Sequence, residues 1–542
     1  KKHVCGEGLN AKLRVFPSKI AKKHVRAKGY SKNYVFFLQK PQKNTYAENE
    51  KAEFTCYFLK NRKKNTYAKS SQFIIFLVVI CVYNSQFSSL LVFSALQCYN
   101  FYTFFWRIKM RVREKVNAFL GKNGFPCKGP NINAIIDSLL WDMEAGLDEG
   151  RSQDARYGAS QDMIPTFAMP PTEPIVNKTV IVIDAGGTNF RACLVHFDEK
   201  GAYTISDFKK TAMPGIEREY SKKEFYEAIA ENLDHLKGKA DSIGFCFSYA
   251  MSITPEGDGI VLNFSKEIKA KEVVGTLVGE SLSEALVARG WEKPKKIILL
   301  NDTAAALLSG AASAKPGRLF SSYVGLILGT GMNAAYIETK PIKKIADFKA
   351  PEQQIVVCEA GKFDKLPQSQ FDIEFDKTTN TPGLYIIEKM CSGAYLGPVA
   401  LIALKKAAKD GLFSQAIAKE LLNIESFELK DMDQFFYAPF DTQTLLGSIM
   451  TKGSQEDYDT CYTLLDAFVE RTARLASSII AACLIKTGKG KQASLPVCVA
   501  TEGTTYFKTH NLQDRVKAYL NKVLSEERGL YFELVSPESA IT

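Results

Sequence analysis

"VIVIDAGGTNFRACLVHFD", residues Val180–Asp198, is an apolar run that ends in an acid, turns on two glycines and becomes apolar again. The pattern predicts strand, turn and strand, with the strands over Lys178–Asp184 and Ala192–Phe197. An ordinary hairpin also needs glycine at its turn, but it has no need of Arg beside Thr. Gly186 and Gly187 leave backbone N–H groups open to an anion, and Thr188 and Asn189 add side-chain donors. Arg191 adds positive charge on the same side, and Asp184 at the strand end can hold Mg2+ through water. The crease is suited to a nucleotide triphosphate.

The theme returns downstream. "YVGLILGTGMNAAYIET" reads as a second hairpin with Gly329, Thr330 and Gly331 at its crease and Asn333 available to a ligand. Gly329, Gly331 and Ala334 also match G-x-G-x-x-A, but that fingerprint must open a helix, and "AAYIE" reads as a returning strand. No G-x-x-x-x-G-K-[ST] occurs, which excludes a P-loop. Between the creases, "IILLNDTAAALL" puts an Asn-Asp pair directly after four apolar residues, where a strand enters the crevice of an α/β sheet. Asp302 is there a candidate general base; the alternative is that Asp302 or Thr303 only caps the helix that follows. "SKKEFYEAIAENLDHL" opens with Ser221 and carries Glu224 three residues on, a helix start. "DSIGFCFSYAMSI" reads as one buried strand, and the chain is mainly helical from about residue 382 to Ile485. A strand and glycine turn in "SLPVCVATEGTTYF", a helix over Gln513–Glu526 and a strand over Leu530–Val535 follow. The order implies an α/β fold with internal pseudo-repetition, two creases clamping one phosphate chain.

The net charge of +11 suggests nucleic acid until it is located. Residues 1–109 hold 16 Lys and 4 Arg against 4 Glu and no Asp, a net +16, which leaves −5 for the rest. No nucleic-acid partner is therefore expected, and residues 110–542 read as a cytosolic protein with no membrane contact. All ten methionines lie at or beyond Met110, so the first 109 residues read as translated upstream sequence outside the fold, with synthesis starting at Met110. If they are made, the charge-free run Ser70–Trp106 is long enough to tether the chain to a bilayer. The twelve cysteines form no CxxC pair and only five histidines exist, so no metal cluster of the zinc type is expected.

These motifs, in this order, resemble the hexokinase family within the actin-like ATPase superfamily. "IDAGGTNFR" and "GLILGTGMNAAYIE" look like its two phosphate motifs, "GFCFSYAMSITPEGDGIVLNFSKE" like its sugar signature, "LLNDTAAALL" like its catalytic segment and "VATEGTTY" like its adenosine-side turn. The resemblance covers about Ala134 to the end. It implies a two-lobed actin-like ATPase (ribonuclease H-like) fold with a central cleft, ATP and Mg2+ as cofactors, and phosphorylation of the 6-hydroxyl of a hexose, glucose first, at the opening of glycolysis. A non-catalytic sugar sensor, or another sugar kinase of the superfamily, is the rival implication. Carried over by position, Ser248, Ser265, Lys266, Asn301, Asp302, Asn333, Glu359 and Glu388 contact the sugar, and Asp302 is the catalytic base. Asp184, Gly186, Gly187, Thr188, Asn189, Arg191, Gly329, Thr330, Gly331, Glu502, Gly503 and Thr504 hold the nucleotide.

Departures from the family pattern are Tyr249-Ala250 for Phe-Pro, Phe264 for Trp, Ser265 for Thr, Glu267 for Gly and Val357 for Asn. The closing Asp-Gly-Ser-Gly turn and final helix are replaced by "ELVSPESAIT", which implies either a truncated chain or a differently built adenine pocket. The expected organisation is a helical lead-in at 110–177, a smaller lobe at 178–302 completed by about 528–542, and a larger lobe at 303–527.

Overall fold

In the computed structural model, the described residues are 20–24, 35–39 and 111–536, without Cys127, 149–157, 172–174, 187–188, 265–267 and 313–317. Two compact units are distinguished, residues 1–95 and 96–542. In the first, β1 (Ile20–His24) pairs antiparallel with β2 (Val35–Gln39), Ile20 opposite Gln39. The apolar run 70–106 lies outside the described residues.

The described residues among 96–542 build two large sheets and a separate two-stranded hairpin. Their strands, in chain order, are β3 (Ile164–Pro165), β4 (Lys178–Ala185), β5 (Asn189–Phe197), β6 (Tyr203–Ala212), β7 (Ser242–Phe247), β8 (Ala250–Ile253), β9 (Gly259–Asn263) and β10 (Lys296–Leu300). Then come β11 (Ser322–Leu328), β12 (Met332–Glu338), β13 (Gln354–Val357), β14 (Val497–Glu502) and β15 (Phe532–Val535). The smaller sheet runs β10-β7-β4-β5-β6 and the larger β15-β14-β11-β12-β13-β3. Each is built the same way. A hairpin (β4–β5, β11–β12) takes an antiparallel third strand on one side (β6, β13) and two parallel strands on the other (β7 and β10, β14 and β15).

That topology decides where ligands can go. Parallel strands end on the same edge, and the crevice outside their carboxyl ends is the usual ligand position. Asp184 of β4 lies opposite Cys246 of β7, which lies opposite Leu300 of β10. The residues that follow, Ser248 after β7 and Asn301-Asp302 after β10, therefore share one edge with Asp184. In the larger sheet Ile327 of β11 faces Glu502 of β14, which puts Gly329 and Gly503 on one edge.

Each sheet has its own core. In the smaller lobe Ile181, Ile183, Phe245, Phe247 and Leu299 pack against Phe225 and Ile229 of helix Lys222–Asn232 and Leu282 and Leu286 of helix Val278–Ala288. Helix Lys222–Asn232 starts on the capping box expected of Ser221 and Glu224. The larger core is organised by helix Gln455–Thr487, 33 residues long, which opens on a Ser454–Asp457 capping box and ends on Gly488 in the left-handed region. Leu139 and Met143 of helix Ile132–Leu147 join that core, and β3 extends the larger sheet against β13.

Helix Asp302–Ala312 leaves the smaller sheet and packs on the larger one. A Cβ on Gly325 of β11 would lie 2.8 Å from the Thr303 carbonyl oxygen and 2.9 Å from Leu307 N. The missing side chain lets helix and strand approach at that point, and it fixes Asn301-Asp302 at the passage between lobes.

Two expectations are corrected. The stretch "DSIGFCFSYAMSI" is not one strand: β7 stops at Phe247 and the chain restarts as the β8–β9 hairpin. Residues 532–535 do not complete the smaller lobe. Strand β15 pairs parallel with β14, Cys498 opposite Glu533, and Leu530, Phe532 and Leu534 pack against the larger core. The helix before it is buried in that same core through Leu512, Val516 and Leu520, so the chain emerges beside β14. Residues 537–542 lie outside the described residues.

Candidate functional site

The first crease begins at Gly186. Its N–H donates to the Asn189 carbonyl at 3.0 Å, and the Tyr249 hydroxyl donates to the Gly186 carbonyl at 2.9 Å. Arg191 stands opposite Asp184 across β4 and β5, Nη1 to Oδ2 2.6 Å, both side chains half-buried. The two residues chosen for charge at this crease thus hold each other. Gly187 and Thr188, chosen for the same crease, lie outside the described residues.

The second crease is tied down more heavily. Gly329 N donates to Gly331 O at 3.0 Å. The Gly329 carbonyl accepts from Gly393 N and from the Thr505 hydroxyl, both at 2.8 Å, and the Thr330 carbonyl accepts from Ala394 N at 3.1 Å. These donors come from the first turns of helices Gly393–Lys409 and Thr504–Lys508, whose N–H groups have no partner within the helix. Gly503 has φ +112, and a Cβ there would meet the Leu328 carbonyl oxygen at 2.2 Å, so only glycine fits the turn.

The Asn-Asp pair divides its labour. Asn301 Oδ1 accepts from Thr303 N at 2.9 Å, so Asn301 caps helix Asp302–Ala312. Asp302 is the first helical residue; its Oδ1 accepts from the Thr303 hydroxyl at 3.1 Å, and its carboxylate stays half-exposed. Asp184 and Asp302 both act on Glu502, whose carboxyl is pushed up by burial first and then by these two like charges. The Cys246 thiol is likewise pushed well up, by burial and then by Asp302, Asp184 and Glu502. Three carboxylates more than a hundred residues apart in the chain are thus gathered where the two sheets meet.

On the sugar side, Asn333 Nδ2 donates to Glu359 Oε1 at 2.9 Å, while Asn333 Oδ1 accepts from Ala334 N at 2.8 Å and Ala360 N at 3.1 Å. Those two amides fix the side-chain orientation. Glu359 has φ +55, a conformation costly outside glycine and characteristic of functional sites. Burial pushes its carboxyl up to about 7; Lys362 pulls down, and Asp162 and Asp302 push up. Glu388 Oε2 accepts from Met332 N at 2.8 Å and reaches beneath Gly331. Asn301, Glu359, Val357, Tyr249 and Met251 line one small cavity where β8 comes against the larger sheet. Ser248 N continues the ladder to the Ala185 carbonyl at 3.1 Å. Ser265 and Lys266 lie outside the described residues.

A larger pocket of about 770 Å³ opens beyond the second crease, lined by Thr330, Gly393, Thr504 and Thr505. Its other wall, missed in the sequence, is helix Leu429–Tyr437. This helix buries Leu429, Met432, Phe435 and Phe436 and turns Lys430, Asp433, Gln434 and Tyr437 to the pocket. Three- and four-residue spacing in "LKDMDQFFY" separates those faces, but nothing local says the polar one meets a ligand. Burial pushes Asp433 up to about 6, and its carboxylate accepts from His510 N at 3.1 Å.

A family profile described as Hexokinase matches residues 122–312, and a second described as Hexokinase matches residues 323–541. Hexokinase-1 of Schizosaccharomyces pombe is 27% identical over 387 residues, 68% of this chain and 78% of that protein. Hexokinase-2 of Equus caballus is 25% identical over 70% of this chain, but the match spans only 42% of that longer protein. Among solved structures, a hexokinase from Schistosoma mansoni complexed with glucose superposes with a TM-score of 0.65 at 23% identity, covering 79% of this chain and 96% of that one. That likeness establishes the two-lobed actin-like ATPase fold.

Proposed function

The chain belongs to the hexokinase family, and from that premise we propose that it transfers the terminal phosphoryl group of ATP to the 6-hydroxyl of a hexose, glucose first, with Asp302 as the base. The observation that carries this reading is the position of Asp302. It sits half-exposed where the smaller sheet passes into the larger, close enough to Glu359 and Glu502 for its charge to push both carboxyls up.

The sugar would lie against Ser248, Asn301, Asn333, Glu359 and Glu388. Acceptor-rich side chains suit a ligand that presents many hydroxyls. Asp302 would take the proton of the attacking hydroxyl, a contribution of about 10²–10⁴-fold. The first and second creases would hold the phosphates and the 770 Å³ pocket the nucleoside, with Thr330 and Thr504 at the join. Among the described residues no three His, Cys, Asp or Glu side chains stand close enough to hold a metal ion directly. The half-buried Asp184 carboxylate at the first crease suits the hydration shell of Mg2+ carried by the triphosphate, and such an ion would relieve the push of Asp184 and Asp302 on Glu502. Bound there, the ion would neutralise charge that builds on the transferring phosphoryl group.

No helix among the described residues is long and apolar enough to cross a membrane. A cytoplasmic enzyme opening glycolysis is part of the proposal. A coupled assay with ATP, Mg2+ and glucose tests it. Turnover is expected; glucose binding by calorimetry with no turnover would make the protein a sugar sensor instead.

A further inference from the structure

The departure at Tyr249 has a structural consequence. A phenylalanine has no hydroxyl, whereas Tyr249 donates one to the Gly186 carbonyl at 2.9 Å, across 63 residues of sequence. The ring is 2% exposed and packs edge-on against Phe247 at 4.8 Å and Phe264 at 5.1 Å. Its chain neighbour is the candidate sugar ligand Ser248. The same side chain lines the cavity that holds Asn301 and Glu359. One buried ring therefore lines the cavity beside Asn301 and Glu359 and holds the first crease through its oxygen.

We infer that Tyr249 is a positioning residue that couples hexose occupancy to the placement of the phosphate turn at Gly186. The inference rests on the hexose-kinase reading above. A sugar that settles against Ser248 and the β8 segment shifts the ring only together with the Gly186 carbonyl, because neither the aromatic packing nor the hydrogen bond leaves it an independent course. The Gly186 end of the crease then meets the phosphates in an orientation set by the sugar. A single neutral hydrogen bond of this kind is worth about three- to tenfold in an equilibrium constant.

The test uses the 542-residue chain and Tyr249→Phe. Dissociation constants for a non-hydrolysable ATP analogue are measured with and without saturating glucose, and their ratio is the coupling factor. In Tyr249→Phe that ratio is expected to fall about three- to tenfold toward one. The KM for ATP rises, while the glucose dissociation constant without nucleotide stays as in the wild type and the melting temperature falls by no more than one hydrogen bond is worth. An unchanged ratio and KM would overturn the inference. Tyr249→Leu removes ring and hydroxyl together; a loss seen with Leu but not with Phe would also overturn it, since the hydroxyl would then be idle. A wild-type protein that neither binds nor phosphorylates glucose would instead sink the functional reading, so the two failures are told apart before any variant is compared.

Discussion

The two creases are the same motif held in different ways. Each is a hairpin turn at the edge of a sheet with parallel strands beside it. The second is bonded by Gly393, Ala394 and Thr505, packed against Gly503 and underpinned by Glu388. The first is held, among the described residues, by the Gly186–Asn189 bond, by the Tyr249 hydroxyl and by the Asp184–Arg191 pair. The larger lobe thus presents a fixed half-site that two helix starts brace. The described part of the smaller lobe's crease is held through side chains, a tyrosine hydroxyl and an ion pair. On the proposed reading, the sugar acts on the first crease through Tyr249 while the second holds the nucleotide.

Five experiments would break or sharpen that contrast. Asp302 belongs to neither crease, so Asp302→Ala should leave glucose binding near wild type and cut turnover by at least about a hundredfold; near-normal turnover removes it from its role. Gly503→Ala should destabilise the fixed jaw by about 1–3 kcal/mol, read as a shift in the denaturant midpoint. An alanine tolerated there would mean the second crease is not rigidly braced.

Glu359 offers a pH test. Its folded carboxyl is pushed up to about 7 by burial, from an ordinary 4.5. The unfolded chain therefore loses this proton first, and the group's stability contribution, present below the ordinary value, is lost as pH rises toward 7. Sugar hydroxyls donating to the carboxylate favour its ionised form, so glucose affinity should fall about tenfold per unit as pH drops below 7. Glu359→Gln should flatten that profile, and a flat wild-type profile would remove Glu359 from the sugar site.

Thr505→Val keeps shape and loses the bond to the Gly329 carbonyl, at a cost of about 1 kcal/mol in chemical denaturation. No change would show that Gly393 alone suffices. The smallest effect is expected at Gly186→Ala, where a Cβ would come no nearer than 3.9 Å to Asn189 O and φ is not positive. Stability should move by less than about 0.5 kcal/mol. A loss as large as that at Gly503 would erase the contrast.

Much of the site was legible because its signals are local. The alternation and glycines around Gly186 and Gly329 define turns within four residues, as does the Ser221–Glu224 cap. The Asn-Asp after "IILL" marks the end of a strand, though not which member caps the helix; the structure gives that task to Asn301 and leaves Asp302 half-exposed as the first helical residue. Illegible were relations that depend on which strands lie side by side. The segment Phe532–Val535 reads as a strand from composition alone, but its sheet was decided by how the preceding helix packs. Lys430, Asp433 and Gln434 lie in a stretch that reads only as helical, and it is the fold that sets them across a pocket from Thr330.

The sequence by itself determined two glycine creases, their order, the acid placed between them and the family to which that order points. Only the tertiary structure decided that Asp184, Asp302 and Glu502 share one field, that Glu359 is held desolvated in a left-handed conformation, and that Tyr249 reaches Gly186. Turns and caps are fixed by bonds between near neighbours. Burial, and the repulsion that comes with it, is fixed by strands that meet only after the loops between them have closed.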